Sequence, residues 1–322
     1  MDNRRLILLL VFSFSLIMLW DAWQRQGQPQ PVKATATTVP AASTPALAGV
    51  VPTPTLPGGG ADAVPAAAPA AVPATATVAA AGAAKAVVKT DLYVADISSQ
   101  GGDITRLELV RHPDTEDKSK HFVLFDNGGK HIYLAQSGVI GEGLPNHKTE
   151  WKLPAGELAL KDGEKELEVR LEASTASGAR VVKTYVFHRG SYQIDVRHEG
   201  VTAGSHAYYQ ITRDGKPAEQ QGSSMMMGVT TFTGPAVYTN AEKYQKVEFA
   251  DILKNKAKFA QKADNGWVAL VQHYFVAAWL PGGATEREFY MRKVGEDMYS
   301  AGVILPVGAD GKSAVSLYAG PQ

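Results

Sequence analysis

The sequence predicts a mainly β protein, an antiparallel sandwich of large sheets with few short helices, preceded by one transmembrane helix and a disordered linker. Three observations carry this. Leu167, Val169 and Leu171 alternate with Glu166, Glu168, Arg170 and Glu172, and residues 193–197 repeat the pattern. A period of two with one dry face is a strand signal. Turn chemistry separates such runs: Gly101-Gly102-Asp103, Asp126-Asn127-Gly128-Gly129, Asp162-Gly163, Asp214-Gly215, Asn265-Gly266 and Asp310-Gly311. The N-terminus differs from all of this, with a charge-free apolar run and then a Pro/Ala-rich tract.

Residues 1–23 read as a membrane anchor. Arg4 and Arg5 precede the apolar run at 6–20, which Asp21 ends before Ala22-Trp23. Residues 6–23 would span roughly 27 Å as a helix, just enough for a hydrocarbon core of about 30 Å. The two arginines place the N-terminus in the cytoplasm, and Trp20 and Trp23 fall where the far interface lies. A cleaved signal peptide is the competing reading, but bulky residues fill the positions where a peptidase needs small ones. The absence of cysteine excludes a lipidated N-terminus, thiol nucleophiles and cysteine zinc sites, and fits an oxidising compartment.

Residues 24–85 read as a disordered Pro/Ala-rich linker. Ten of the 18 prolines fall there, and its only charges are Arg25, Lys33, Asp62 and Lys85. Such a stretch cannot bury enough apolar surface to offset its ordering entropy. A flexible coil of this length spans about 45 Å r.m.s., and the prolines stiffen it further.

Residues 86–322 are the folded body. With 29 acidic and 27 basic residues it is near neutral, which gives no support to nucleic-acid binding. β-branched and aromatic residues mark strands at 122–125, 181–187 and 303–307, and residues 313–318 put Val315 and Leu317 on one face. Thr239-Asn240-Ala241-Glu242 has the form of a capping box and predicts a short helix within 242–255. Residues 266–281 are apolar almost throughout, too short and too polar for a second membrane span because of Gln272 and His273. They read as a central strand buried on both faces, with Trp267 and Trp279 in the core and His273 as a hydrogen-bonded core histidine.

Chemistry is sparse. The eight histidines (His112, His121, His131, His147, His188, His198, His206 and His273) form no metal-ligand spacing, and no nucleophile elbow or phosphate loop occurs. Gly141-Glu142-Gly143 lacks the third glycine of a dinucleotide loop, and Glu286 with Glu288 reads as a solvated strand face. No catalytic, cofactor-binding or metal-binding residue is therefore assigned, and no cofactor is expected. Met225-Met226-Met227 reads as gap-filling core rather than an adaptable partner loop.

Several segments together resemble the N-terminal part of the Gram-negative YidC family of inner-membrane insertases. They are Met1 to Arg5 with Leu19-Trp20-Asp21-Ala22-Trp23, Thr90-Asp91 with Gly101-Gly102-Asp103, and Ala135-Gln136-Ser137-Gly138. Further along come Lys183-Thr184-Tyr185-Val186-Phe187 with Arg189-Gly190, and Glu242-Lys243-Tyr244. The last are Gly266 to Ala269 through Tyr274-Phe275 to Ala278-Trp279, and Leu317 to Pro321.

The resemblance implies a periplasmic β-supersandwich of the galactose-mutarotase-like kind, on an inner-membrane anchor that contacts lipid through residues 5–23. It implies docking to the Sec translocon and its accessory subunits, with nascent inner-membrane proteins as clients. It also implies that insertion is carried by five further transmembrane helices, which these 322 residues do not include. The leading expectation is a non-enzymatic periplasmic module of an insertase. The alternatives are a carbohydrate-binding or mutarotase-like domain, which would need a His and a carboxylate facing each other in one cleft, and a free periplasmic binding protein.

Overall fold

The computed structural model of the chain describes residue 72 and residues 82–128, 131–215 and 232–322. The expected anchor at 1–23, most of the expected linker at 24–85, and Met225-Met226-Met227 lie outside the described residues. Among the described residues no helix is long and apolar enough to cross a membrane.

Eighteen strands, numbered in chain order, form two sheets among the described residues. The ten-stranded sheet runs, in spatial order, β13 (Lys262–Ala263), β16 (Arg287–Gly295), β17 (Met298–Pro306), β10 (His206–Asp214), β5 (Ile132–Ile140), β4 (His121–Asn127), β3 (Ile104–Pro113), β2 (Tyr93–Ser98), β1 (Lys85–Lys89) and β6 (Leu158–Ala159). The eight-stranded sheet runs β12 (Lys243–Lys246), β11 (Gly234–Thr239), β14 (Trp267–Gln272), β15 (Phe275–Leu280), β18 (Ser313–Pro321), β9 (Gln193–Glu199), β8 (Arg180–His188) and β7 (Glu166–Ser174). Neighbours are antiparallel except β1 and β6. The alternating runs predict an antiparallel sandwich of large sheets, and two such sheets are present, as in the β-supersandwich that the family resemblance implies.

The core lies between the sheets and follows from strand alternation. On β7, Val169 and Leu171 point inward and Glu168 and Arg170 outward. On β10, Ala207, Tyr209 and Ile211 join the inter-sheet core, whereas Tyr208 belongs to a separate cluster on the opposite face. Polar side chains also tie the sheets together: Tyr93 on β2 donates to the Ala319 carbonyl on β18 at 2.6 Å, and Arg213 on β10 donates to Gln272 on β14 at 2.6 Å.

Two local expectations are corrected. The capping-box hydrogen bond forms, with Glu242 N donating to Thr239 Oγ1 at 3.1 Å, but it closes the β11–β12 turn instead of a helix. Lys243 there adopts φ 59°, which no helix continues through. The helix, α1 (Phe249–Leu253), starts later without a side-chain cap and is held by packing of Ile252 and Phe249. The apolar run at 266–281 is not one strand but the β14–β15 hairpin, closed where Gln272 pairs with Phe275. His273 and Tyr274 form its turn and are exposed, so His273 is not a core residue. Trp279 is buried as expected, but Trp267 faces away from the core and is only half-buried, stacked on Tyr238 at 5.8 Å.

Candidate functional site

The most concentrated polar chemistry begins in the turn between β2 and β3. Gly101 and Gly102 have φ of 79° and 58°, and a Cβ at Gly101 would meet the His147 carbonyl at 2.6 Å. Only glycine fits that backbone and that approach. The tight turn aims two carbonyls into the core, and Lys183 on β8 takes both, at 2.8 Å from Gly101 O and 3.3 Å from Gly102 O. Lys183 also donates to Ser137 O at 3.0 Å and lies 5.0 Å from the Trp151 ring centroid. Tyr185, two residues on along the same face, donates to Gly102 O at 2.6 Å.

Asp103 closes this cage, with Oδ1 3.6 Å from Lys183 Nζ. Both side chains are buried. Burial pushes the Asp103 carboxyl up to about 6, although Lys183, Gln136 and the Ser137 amide pull against it. Burial likewise pulls the Lys183 ammonium down to about 8, against the attraction of Asp103.

From Asp103 a continuous chain of side chains crosses to the outer face of the ten-stranded sheet. Gln136 on β5 donates to Asp103 Oδ2 at 3.0 Å, and its Oε1 accepts from Gln210 at 3.0 Å and Thr212 at 2.8 Å, both on β10. Thr212 meets Ser300 on β17 at 2.6 Å, and Tyr290 on β16 donates to Gln210 at 2.8 Å. Every member of this relay is buried, so each polar group needs a partner of this kind.

The outer face around the relay is built for flat aromatic rings. A Cβ at Gly302 would meet the Tyr290 hydroxyl at 2.5 Å, and one at Gly138 would meet the Tyr208 hydroxyl at 2.7 Å. Gly302 is the cross-strand partner of Tyr290 and Gly138 that of Tyr208. Tyr208 is further fixed by the His147 backbone amide, which donates to its hydroxyl at 3.0 Å.

The histidines do not assemble an acid–base cleft among the described residues. His198 is buried against the Tyr209 hydroxyl at 3.2 Å, and burial, then the Lys183 charge, holds it well below the ordinary imidazole range and therefore neutral. His188, Asp195 and Ser316 lie together on the outer face of the eight-stranded sheet, but in the wrong order for a nucleophile triad. Asp195 sits in the middle, bonded to His188 at 3.0 Å and to Ser316 at 2.6 Å. His121 and Glu108 do line one depression of about 410 Å³, with Arg106, Asp114, Asp117 and Lys120. There they pair with each other at 3.5 Å, where a sugar-handling pair would stand across a space. No group of three or more His, Asp or Glu residues suited to hold a metal ion occurs among the described residues.

Sequence reasoning read Gly101-Gly102-Asp103 as a turn, residues 181–187 as a strand and residues 135–138 as a carrier of the resemblance, none of them as a site, and the fold brings all three to one cage. The period-two signal was present: Lys183 falls on the same strand face as Val181, Tyr185 and Phe187. Tyr208 and Tyr290 were missed, because nothing local marks which face of a strand buried on both sides they occupy. Glu286 and Glu288 flank the buried Arg287 and are not themselves buried.

Residues 85–322 match the family model described as YidC periplasmic domain. The chain is 56% identical over 336 residues to a membrane protein insertase YidC of Aromatoleum aromaticum, covering 100% of this chain and 58% of that protein. It is 50% identical over 335 residues to the one from Dechloromonas aromatica, covering 57% of it. The chain thus spans a little over half the length of these curated relatives. Among solved structures it is similar to a galactose mutarotase-like protein from Lactobacillus casei, with TM-score 0.38 and 8% identity over 74% of this chain and 100% of that one. It is also similar to the GH36 alpha-galactosidase AgaB from Geobacillus stearothermophilus, with TM-score 0.36 and 12% identity over 73% of this chain and 40% of that one. Nothing about activity follows from likenesses this remote.

Proposed function

The chain belongs to the YidC family, and from that premise we propose that residues 86–322 are the periplasmic body of an inner-membrane protein insertase. Residues 1–23 anchor it with the N-terminus in the cytoplasm, and residues 24–85 are the spacer between membrane and body. The body serves insertion by docking to the Sec translocon and its accessory subunits, near nascent inner-membrane proteins, and not by catalysis. The observation that carries this reading is the extent of the family match, which runs over 85–322, the same stretch the strands occupy from β1 to β18. The internal chemistry supports it: the ionisable cage is buried, so its groups cannot meet a substrate without the sheets parting.

Affinity purification from Gram-negative cells tests the docking role. Tagged chain 1–322 should recover translocon subunits from solubilised membranes, and a tagged 1–85 segment should not. Equal recovery with both would remove the β body from the interaction.

A further inference from the structure

Val72 lies inside the stretch whose composition argues for an unstructured spacer, yet it is fully buried. It packs against Tyr208, Tyr290 and Ile304 on the outer face of the ten-stranded sheet, with Ile140 at the edge. Its carbonyl accepts from Arg292 Nη1 at 2.9 Å, across 220 residues of sequence. The two rings that receive it are fixed beforehand, Tyr290 by Gln210 and Gly302, Tyr208 by the His147 amide and Gly138. The contact reads a main-chain carbonyl and one small aliphatic side chain.

We propose that the Tyr208–Tyr290–Arg292 face is a peptide-binding site whose resident occupant is Val72 of the chain's own tether. The charged donor, the flat aromatic floor and the aliphatic rim suit a valine and its carbonyl, which here stand in an Ala-Val-Pro-Ala tetrapeptide. That tetrapeptide occurs twice in the tether, at 63–66 and 71–74, and the second copy holds the seated valine. The tether is thereby pinned to the body at Val72, well before β1 begins at Lys85. Any other ligand for this face has to displace Val72 first.

The chain has no cysteine, so a single introduced thiol reports on one position. In the full chain in detergent, maleimide labelling of Val72→Cys and Val64→Cys compares the two copies of the repeat. A seated residue labels only when its contact opens, so Val72→Cys should react about tenfold more slowly than Val64→Cys. Adding Arg292→Ala should bring the two rates together while the strand signal in circular dichroism persists. Equal rates in the parent chain would overturn the proposal, and that comparison stands even if Arg292→Ala fails to fold. A rate difference that Arg292→Ala leaves intact in a folded protein would overturn the role given to the carbonyl contact.

Discussion

Lys183 Nζ lies 3.6 Å from Asp103 Oδ1, a pair buried on both sides and joining β8 of one sheet to the start of β3 in the other. Removing one partner leaves the other charge buried and alone, which costs more than the pair contributes. Lys183→Met should destabilise the body by about 3–5 kcal/mol. Asp103→Asn added to Lys183→Met should cost markedly less than the two single changes summed. Urea melts of the three variants measure both quantities, and additive losses would mean that the two groups act independently.

Asp103 also predicts a pH dependence. Its folded pKa, near 6, stands above the ordinary carboxylate value of 3.8. Between about pH 4 and 6 the folded state therefore holds a proton that the unfolded state has lost. The stability this group contributes is present below that window and is lost as pH rises through it. Melts of the parent and Asp103→Asn from pH 4 to 7 cancel the carboxylates that both share. The parent's advantage should shrink by on the order of 2–3 kcal/mol over that range. A difference that is flat or grows with pH would contradict the buried, raised carboxyl.

Arg287 is a second internal staple. Its five guanidinium N–H groups face six backbone carbonyls, with Nη2 shared among three of them: Thr285 at 3.1 Å, Gly266 at 3.0 Å, Pro281 at 2.8 Å, Asp264 at 3.1 Å, Gly282 at 3.3 Å and Gly283 at 2.6 Å. A lysine keeps the charge but cannot present a planar fork to two loops at once. Arg287→Lys should cost about 2–4 kcal/mol, with stranded carbonyls as the cause. Faster amide exchange at 282–285 is expected alongside the loss, and an unchanged melt would show that lysine reaches the same carbonyls.

The two tryptophans of the β14–β15 hairpin should separate. Trp279 is buried between the sheets, and Trp279→Ala should cost about 3–5 kcal/mol. Trp267 lies on the opposite face and is half-buried, so Trp267→Ala should cost about 1–2 kcal/mol. Similar losses at both positions would mean that the outer face is as closely packed as the core.

The half-buried strands were legible in the sequence because their alternation is complete. Glu166 to Glu172 and Gln193 to Arg197 show one wet and one dry face, and β7 and β9 appear as read. Strands buried on both faces carry no such contrast, which is why the β14–β15 hairpin read as a single strand. Its turn, His273-Tyr274, holds no glycine, proline or asparagine to announce it. Thr239 to Glu242 failed differently, since the same side-chain-to-amide bond that starts a helix also closes a hairpin turn. The cage at Lys183 depends on contacts between residues about 80 positions apart, such as Lys183 with Gly101. No local pattern encodes a partner at that distance.

Under the proposed function this body supports insertion, while the insertion step belongs to the share of the relatives' length that these 322 residues do not span. Carrying polar segments into lipid requires an interior that shelters them, and the one anchor proposed for residues 1–23 would offer none. The most direct measurement is growth of Gram-negative cells depleted of their own insertase. The full-length Aromatoleum aromaticum relative should restore growth and residues 1–322 should not. Growth restored by residues 1–322 alone would contradict the claim and place insertion within this chain.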